Sequence, residues 1–171
     1  MIVIMAGLPA SGKSTLCREL AALLSGAVLD KDAIRAALFS ERDIEYSTEQ
    51  DDFCMKVVLD AAEHILRKDP SRVVFLDGRP FSRISQIDAV IKAARAIDQG
   101  WRIIECVCPE ETARKRLADP GTQDRHPAAN RDFPLYLRVK AQFEAIKFPK
   151  TVIDTDLPLH VCVQCAMEAL R

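Results

Sequence analysis

Chemistry is most legible in the stretch Gly7-Leu8-Pro9-Ala10-Ser11-Gly12-Lys13-Ser14-Thr15. A glycine, four intervening residues and then Gly-Lys-Ser is the spacing of a phosphate-cradling P-loop. Gly7 and Gly12 permit backbone conformations closed to residues with a side chain. The segment from Pro9 through Ala10, Ser11, Gly12, Lys13, Ser14 and Thr15 is then expected to wrap phosphate oxygens. Its N–H groups converge at a helix N-terminus, where unpaired donors and the dipole favour negative charge. Lys13 is expected to reach the β- and γ-phosphates, and the Ser14 hydroxyl to ligate Mg²⁺. The ligand this pattern calls for is a nucleoside triphosphate.

Two more polar clusters end apolar runs. Asp30-Lys31-Asp32 follows Ala27-Val28-Leu29, with Arg35 one turn further on, and Asp77-Gly78-Arg79 follows Val73–Leu76. Phosphoryl transfer is mostly positioning and charge neutralisation. It needs a carboxylate on Mg²⁺, a group to orient the acceptor hydroxyl, and cations over the transferring phosphoryl. Asp77 has the form of the Mg²⁺ carboxylate, although an aspartate at a strand end also suits a turn. Asp30 and Asp32 lie where an acceptor base is needed, and Asp32 equally fits the cap of a short helix at 33–38. Arg35 is expected to face the same cleft, where its planar fork suits an anionic substrate. Asp30, Arg35, Asp77 and Arg79 are the candidate acceptor-side residues. The basic stretch Arg114, Arg116, Arg125, His126 and Arg131 reads as a solvated surface or as a lid over about 118–131. A lid would bring cations to the phosphates and keep water out only when substrate is bound.

The elements that must position these residues alternate between strand and helix. Strands are expected at 2–6, 27–29, 73–76, 102–108 and 151–153. The helix after the P-loop carries Leu16, Leu20, Leu23 and Leu24 and stops at Gly26. A second ends at Leu38, and the polar segment 39–47 reads as a mobile connection. Ser47 or Thr48 caps a long helix to Lys68 whose face is Cys54, Val57, Val58, Ala61 and Ile65. Ser82 is expected to cap a helix stopping near Gly100, Pro109 opens another, and further helices cover Asp132 to about Ile146 and Leu157 onward. Such alternation implies a parallel sheet covered on both faces, with ligands gathered at the carboxyl ends of its strands. That rule collects the P-loop, Asp30–Asp32, Asp77–Arg79 and the basic stretch in one place.

Composition bounds the rest. The chain has 171 residues, 24 basic and 25 acidic, a net charge of −1 and 49% hydrophobic residues. It reads as one domain with an ordinary core. The charge balance gives no global attraction to nucleic acid or membrane, and no apolar run approaches the ~20 residues of a spanning helix. The first strand begins at once, which leaves no room for an export signal and suggests the cytoplasm. Cys106 with Cys108, and Cys162 with Cys165, share faces of a strand and a helix. Both pairs lie in apolar surroundings and read as small buried hydrophobes.

Gly7–Thr15, Asp30-Lys31-Asp32 with Arg35, Asp77-Gly78-Arg79, and Arg116 before a lid together resemble the small P-loop kinases: gluconate and adenylylsulfate kinases, chloramphenicol phosphotransferase, polynucleotide 5′-hydroxyl kinases and zeta-toxin-like proteins. The resemblance runs over nearly the whole chain. It implies an α/β three-layer P-loop NTPase fold with a five-stranded parallel sheet in order 2-3-1-4-5 and ATP as phosphoryl donor. It also implies Asp32, with Asp30 second, as the base for the acceptor hydroxyl. Arg116 and Arg125 are then the lid arginines, and adenine contacts fall on the Arg116 helix and around Asp154-Thr155-Asp156. The lid sequence matches no one substrate class. The activity expected is transfer from Mg-ATP to a hydroxyl of a small molecule. A polynucleotide 5′-hydroxyl kinase is disfavoured by 6% aromatic content, since base stacking draws on aromatic side chains. The remaining alternative is a nucleotide-dependent switch, NTPase or toxin, with residues 39–47 as the segment ordered by nucleotide.

Overall fold

The computed structural model describes residues 1–119 and 132–171. Five parallel strands form one sheet: β1 (Ile2–Ala6), β2 (Ala27–Asp30), β3 (Val74–Asp77), β4 (Trp101–Val107) and β5 (Thr151–Asp154). Their spatial order is β2-β3-β1-β4-β5, the order the family resemblance implies. The described helices are α1 (Lys13–Leu23), α2 (Lys31–Leu38), α3 (Thr48–Lys68), α4 (Ile84–Ala96), α5 (Glu110–Ala118), α6 (Phe133–Ala141) and α7 (Leu159–Ala169).

Period-two alternation sorts the buried strands between two cores. Ile2, Ile4 and Ala6 of β1 join Val74, Leu76 and Ile103 beneath α3 and α4, while Val3 and Met5 join Phe75, Ile104 and Cys106 beneath α1 and α7. β1 is buried at every position, which is why it reads as an unbroken apolar run. Cys17, Cys106 and Cys162 pack within the second core. The six cysteines are free. Burial raises the Cys17 thiol and pushes Cys106 up to about 12, so both stay protonated at neutral pH.

Several boundaries differ from expectation for local reasons. α1 turns Leu16, Cys17, Leu20 and Ala21 inward, and Leu23 is 61% exposed. Its stop is Ser25, at φ 49°, with the Gly26 N–H donating to Ala21 O at 2.8 Å. Gly26 serves proximity instead: a Cβ there would sit 2.8 Å from the Phe75 ring. The last turn of α4 likewise ends through Asp98, at φ 53°, and not at Gly100. Ser82 does not cap α4; the Glu144 carboxylate, from the segment after α6, accepts from the Ile84 N–H at 2.6 Å. Glu144 also donates its own N–H to Ser82 O, so the chain leaves its helical path at Ala141, well short of Ile146. Ser47 caps α3, accepting from Gln50 N. Gln50 in turn pins residues 39–47: its amide donates to Asp43 O at 2.8 Å and accepts from Glu45 N.

Candidate active site

The carboxyl ends of β1, β2 and β3 open onto a cleft of about 640 Å³, within the range of small-molecule sites. Residues 9–16 of the P-loop and α1 form one wall, joined by Arg116, Thr155 and Leu157. Lys31, Asp32, Arg35, Tyr46, Asp51, Asp77 and Arg79 form the other.

The P-loop conformation depends on its glycines. Gly7 and Gly12 stand at φ 136° and 79°. A Cβ on Gly7 would lie 2.3 Å from Cys106 O, and one on Gly12 would press on Thr155. Lys13 folds back within the loop, its Nζ donating to Gly7 O at 2.9 Å and Leu8 O at 2.8 Å. Thr155 and Arg116 clasp the loop from outside. The Thr155 hydroxyl lies 2.9 Å from Ser11 O and 3.1 Å from Val107 O, and accepts from Arg116 Nη1 at 3.1 Å. Arg116 also donates to Ala10 O and Thr155 O. Ser14 and Thr15 line the cleft from the first turn of α1, whose N-cap is Gly12.

Asp30 and Asp32 divide the two roles left open for them. Asp30 is the N-cap of α2, its Oδ1 accepting from Asp32 N at 2.8 Å and Ala33 N at 3.2 Å. Burial and then the neighbouring Asp77, opposite it in the β2–β3 register, raise its carboxyl above the usual range, against those two N–H bonds. The Asp30 side chain is therefore occupied by the backbone, and Asp30 is not among the residues lining the cleft. Asp32 is left to the site. Its Oδ1 faces Arg35 Nη1 at 2.7 Å and Lys31 Nζ at 3.0 Å.

Asp51 completes this network. Its Oδ1 accepts from Lys31 at 2.8 Å and also from Arg35 Nη2, and the Tyr46 ring lies against the Arg35 guanidinium. Burial lowers the Lys31 ammonium, with Asp32 working against the shift. Lys31, Tyr46 and Asp51 were not picked out from sequence as site residues. Asp51 had a signal: it precedes Cys54 and Met55 by one turn, on the inward stripe of α3, where a carboxylate is out of place.

Asp77 ends β3, 2% exposed, and its Oδ1 has no hydrogen-bond partner among the described residues. Arg79 follows on a loop fixed by Pro80 O, which accepts from Gly7 N at 3.0 Å. Arg125 and positions 120–131 of the expected lid lie outside the described residues. The donor set fits Mg²⁺ and a triphosphate: an N–H cradle that a Cβ would fill, Lys13, the Ser14 hydroxyl, and a buried carboxylate oxygen lacking a partner.

A family model described as an AAA domain matches residues 2–146. Among curated proteins none matches the chain. Solved structures match along nearly the whole length at low identity. The APS kinase CysC of Mycobacterium tuberculosis, in complex with AMPPNP and APS, is 18% identical with a TM-score of 0.74, over 99% of this chain and 96% of that one. A gluconokinase from Sinorhizobium meliloti is 17% identical, with a TM-score of 0.65 over 99% and 90%. Kti12 of Chaetomium thermophilum, in complex with ADP-AlF3, is 15% identical with a TM-score of 0.67 over the full length of both. The family match covers most of the chain and these structures align with it over nearly its whole length, so the protein belongs to the AAA domain family and has the fold of the small P-loop kinases.

Proposed function

We propose that the protein is an ATP-dependent phosphotransferase that moves the γ-phosphoryl group of Mg-ATP to a hydroxyl of a small molecule. The observation that carries this reading is a single cleft holding the phosphate cradle on one wall and Asp32, fixed by Lys31 and Arg35, on the other. Nucleotide complexes of structural neighbours, with AMPPNP and with ADP-AlF3, support the donor.

In this reading Lys13 exchanges the Gly7 and Leu8 carbonyls for phosphate oxygens. Asp32 takes the proton of the acceptor hydroxyl on Oδ2, the oxygen that Lys31 and Arg35 leave open. The hydroxyl oxygen bonds to the γ-phosphorus as its bond to the bridging β-γ oxygen breaks, and ADP leaves. Arg116 and Thr155 hold the nucleotide side, while Arg125 and the lid at 118–131 add charge and exclude water. Ser14 and Asp77 would hold Mg²⁺, which would supply neutralisation of phosphate charge. A polynucleotide acceptor is disfavoured: among the described residues Tyr46 is the one aromatic lining the cleft, and it is taken up by Arg35. No described helix is long and apolar enough to cross a membrane.

ADP release from Mg-ATP across a panel of hydroxylated metabolites, antibiotics and 5′-hydroxyl oligonucleotides tests the proposal. Strong stimulation by a small molecule is the expected result. A constant rate indifferent to every acceptor would move the protein to the NTPase or switch class.

A further inference from the structure

Arg79 is a buried cation that the phosphoryl-transfer chemistry above leaves without work. Around Asp32 the charges close on themselves: Lys31 and Arg35 are each shared between Asp32 and Asp51, two cations against two carboxylates. Both terminal nitrogens of Arg35 are committed there, and its one donor without an acceptor is the buried Nε. Arg79 stands outside this closed set. Its side chain is 6% exposed, and its ion pair among the described residues is with Asp52, at 2.6 Å through Nη2. Asp52 is 62% exposed and takes no part in lining the cleft. Arg79 Nε is buried without an acceptor, and Nη1 makes no hydrogen bond among the described residues. A guanidinium withdrawn from water needs more than one exposed carboxylate, because pairs with exposed partners contribute little.

The backbone beside Arg79 turns through left-handed conformations, ordinary for Gly78 but uncommon for Phe81. Gly78 lies at φ 82° and Phe81 at φ 53°, and the Phe81 ring is locked in the core beneath α3 and α4. Pro80 ties the same loop to the first P-loop glycine. Strain that the surroundings enforce, next to an under-paired buried cation in a cleft, marks a preorganised binding group.

We propose that Arg79 binds an anionic group of the acceptor, a carboxylate, sulfate or phosphate, and that Asp52 is a surrogate which this group displaces. The acceptor is then a hydroxylated anion, its hydroxyl at Asp32 and its charge on Arg79. The inference rests on the kinase reading, and its test separates the two.

Turnover is measured with glycerol, D-glycerate and glycerol 3-phosphate, a series differing in the anion, using wild type, Arg79→Gln, Arg79→Lys and Asp52→Asn. In parallel, inorganic sulfate is titrated into protein whose P-loop is already saturated with Mg-AMPPNP. The expected result is a KM for a charged compound at least about tenfold below that of glycerol. Arg79→Gln should raise that KM, and the sulfate Kd, about 10- to 100-fold. Arg79→Lys should fall between, and Asp52→Asn should tighten both. Which charged compound responds distinguishes carboxylate from phosphate. Should none of the series be turned over, the sulfate titration decides alone. No sulfate binding by the loaded wild type, or binding indifferent to Arg79→Gln, overturns the proposal, as does equal use of glycerol. Mg-AMPPNP binding by each variant reports that it is folded. Failure of wild type to bind Mg-AMPPNP counts against the kinase reading itself.

Discussion

Two aspartates two positions apart do different work, and substitution should separate them. Asp30 accepts the first N–H groups of α2, whereas Asp32 faces the cleft. Asp30→Ala should cost about 0.5–2 kcal/mol of stability, the usual loss for a cap. Asp30→Asn keeps the acceptor and removes the charge beside Asp77. The Asp30 carboxyl is raised above 3.8 by burial and by Asp77, so the folded protein holds this proton more tightly than the unfolded chain. Ionised Asp30 therefore subtracts stability above its raised pKa, and the penalty fades as pH falls toward 3.8. Asp30→Asn should accordingly be more stable than wild type at neutral pH, with the gap closing on acidification, as denaturation at a series of pH values would show. Asp32→Asn should lower transfer roughly 10²- to 10⁴-fold with Mg-AMPPNP binding kept; unchanged turnover would remove Asp32 from the base role. The sequence shows both aspartates but not the division between them, because which one caps depends on a two-residue difference in where the helix begins.

Between elements, the decisive junction is Gly78. A Cβ there would stand 2.4 Å from Asp30 Oδ1 and under 3 Å from the N–H nitrogens of Lys31 and Asp32, at φ 82°. Gly78→Ala should therefore cost more than about 1 kcal/mol. It should also push the start of α2, and Asp32 with it, out of place. Loss of turnover larger than the loss of stability predicts, read by comparing both in one preparation, is the expected signature. At this scale the sequence was partly legible. Runs such as Ile2–Ala6 and Val74–Leu76 announce central strands because both faces are apolar, and Ser47 announces a helix start. Ends and tertiary caps were less legible. Ser25 and Asp98 take the left-handed positions that glycine composition assigned to Gly26 and Gly100, and Glu144 reaches 60 positions back to Ile84. Asp51 stood out only as a carboxylate on the inward stripe of α3, since its partners Lys31 and Arg35 belong to another helix.

For the whole molecule, two cores on either side of one parallel sheet leave the cleft at the strand ends as the place where ligand and stability meet. A ligand that binds only the folded state at a hundred times its Kd adds about 2.7 kcal/mol. For a chain of this size that corresponds to a rise in Tm of roughly 5–11 °C. Mg-ATP should produce such a rise in a thermal melt, and Lys13→Ala should shrink it. The fold class and sheet order were legible because the P-loop and the strand–helix alternation are local in sequence. On the other wall of the cleft Asp32 and Arg79 stood out by their places after strands, whereas Tyr46 and Asp51 did not, since they reach Arg35 only after folding.

The clasp of Thr155 on the P-loop joins positions 144 apart. A ribosome adds about 5–20 residues each second, so the nucleotide loop is synthesised roughly 7–30 s before the strand end that fastens it. A nascent chain halted before β5 has Arg116, the donor to Ala10 O, but leaves Ser11 O unfastened. A loop made early in the sequence thus gains its last fastening only after β5 is made.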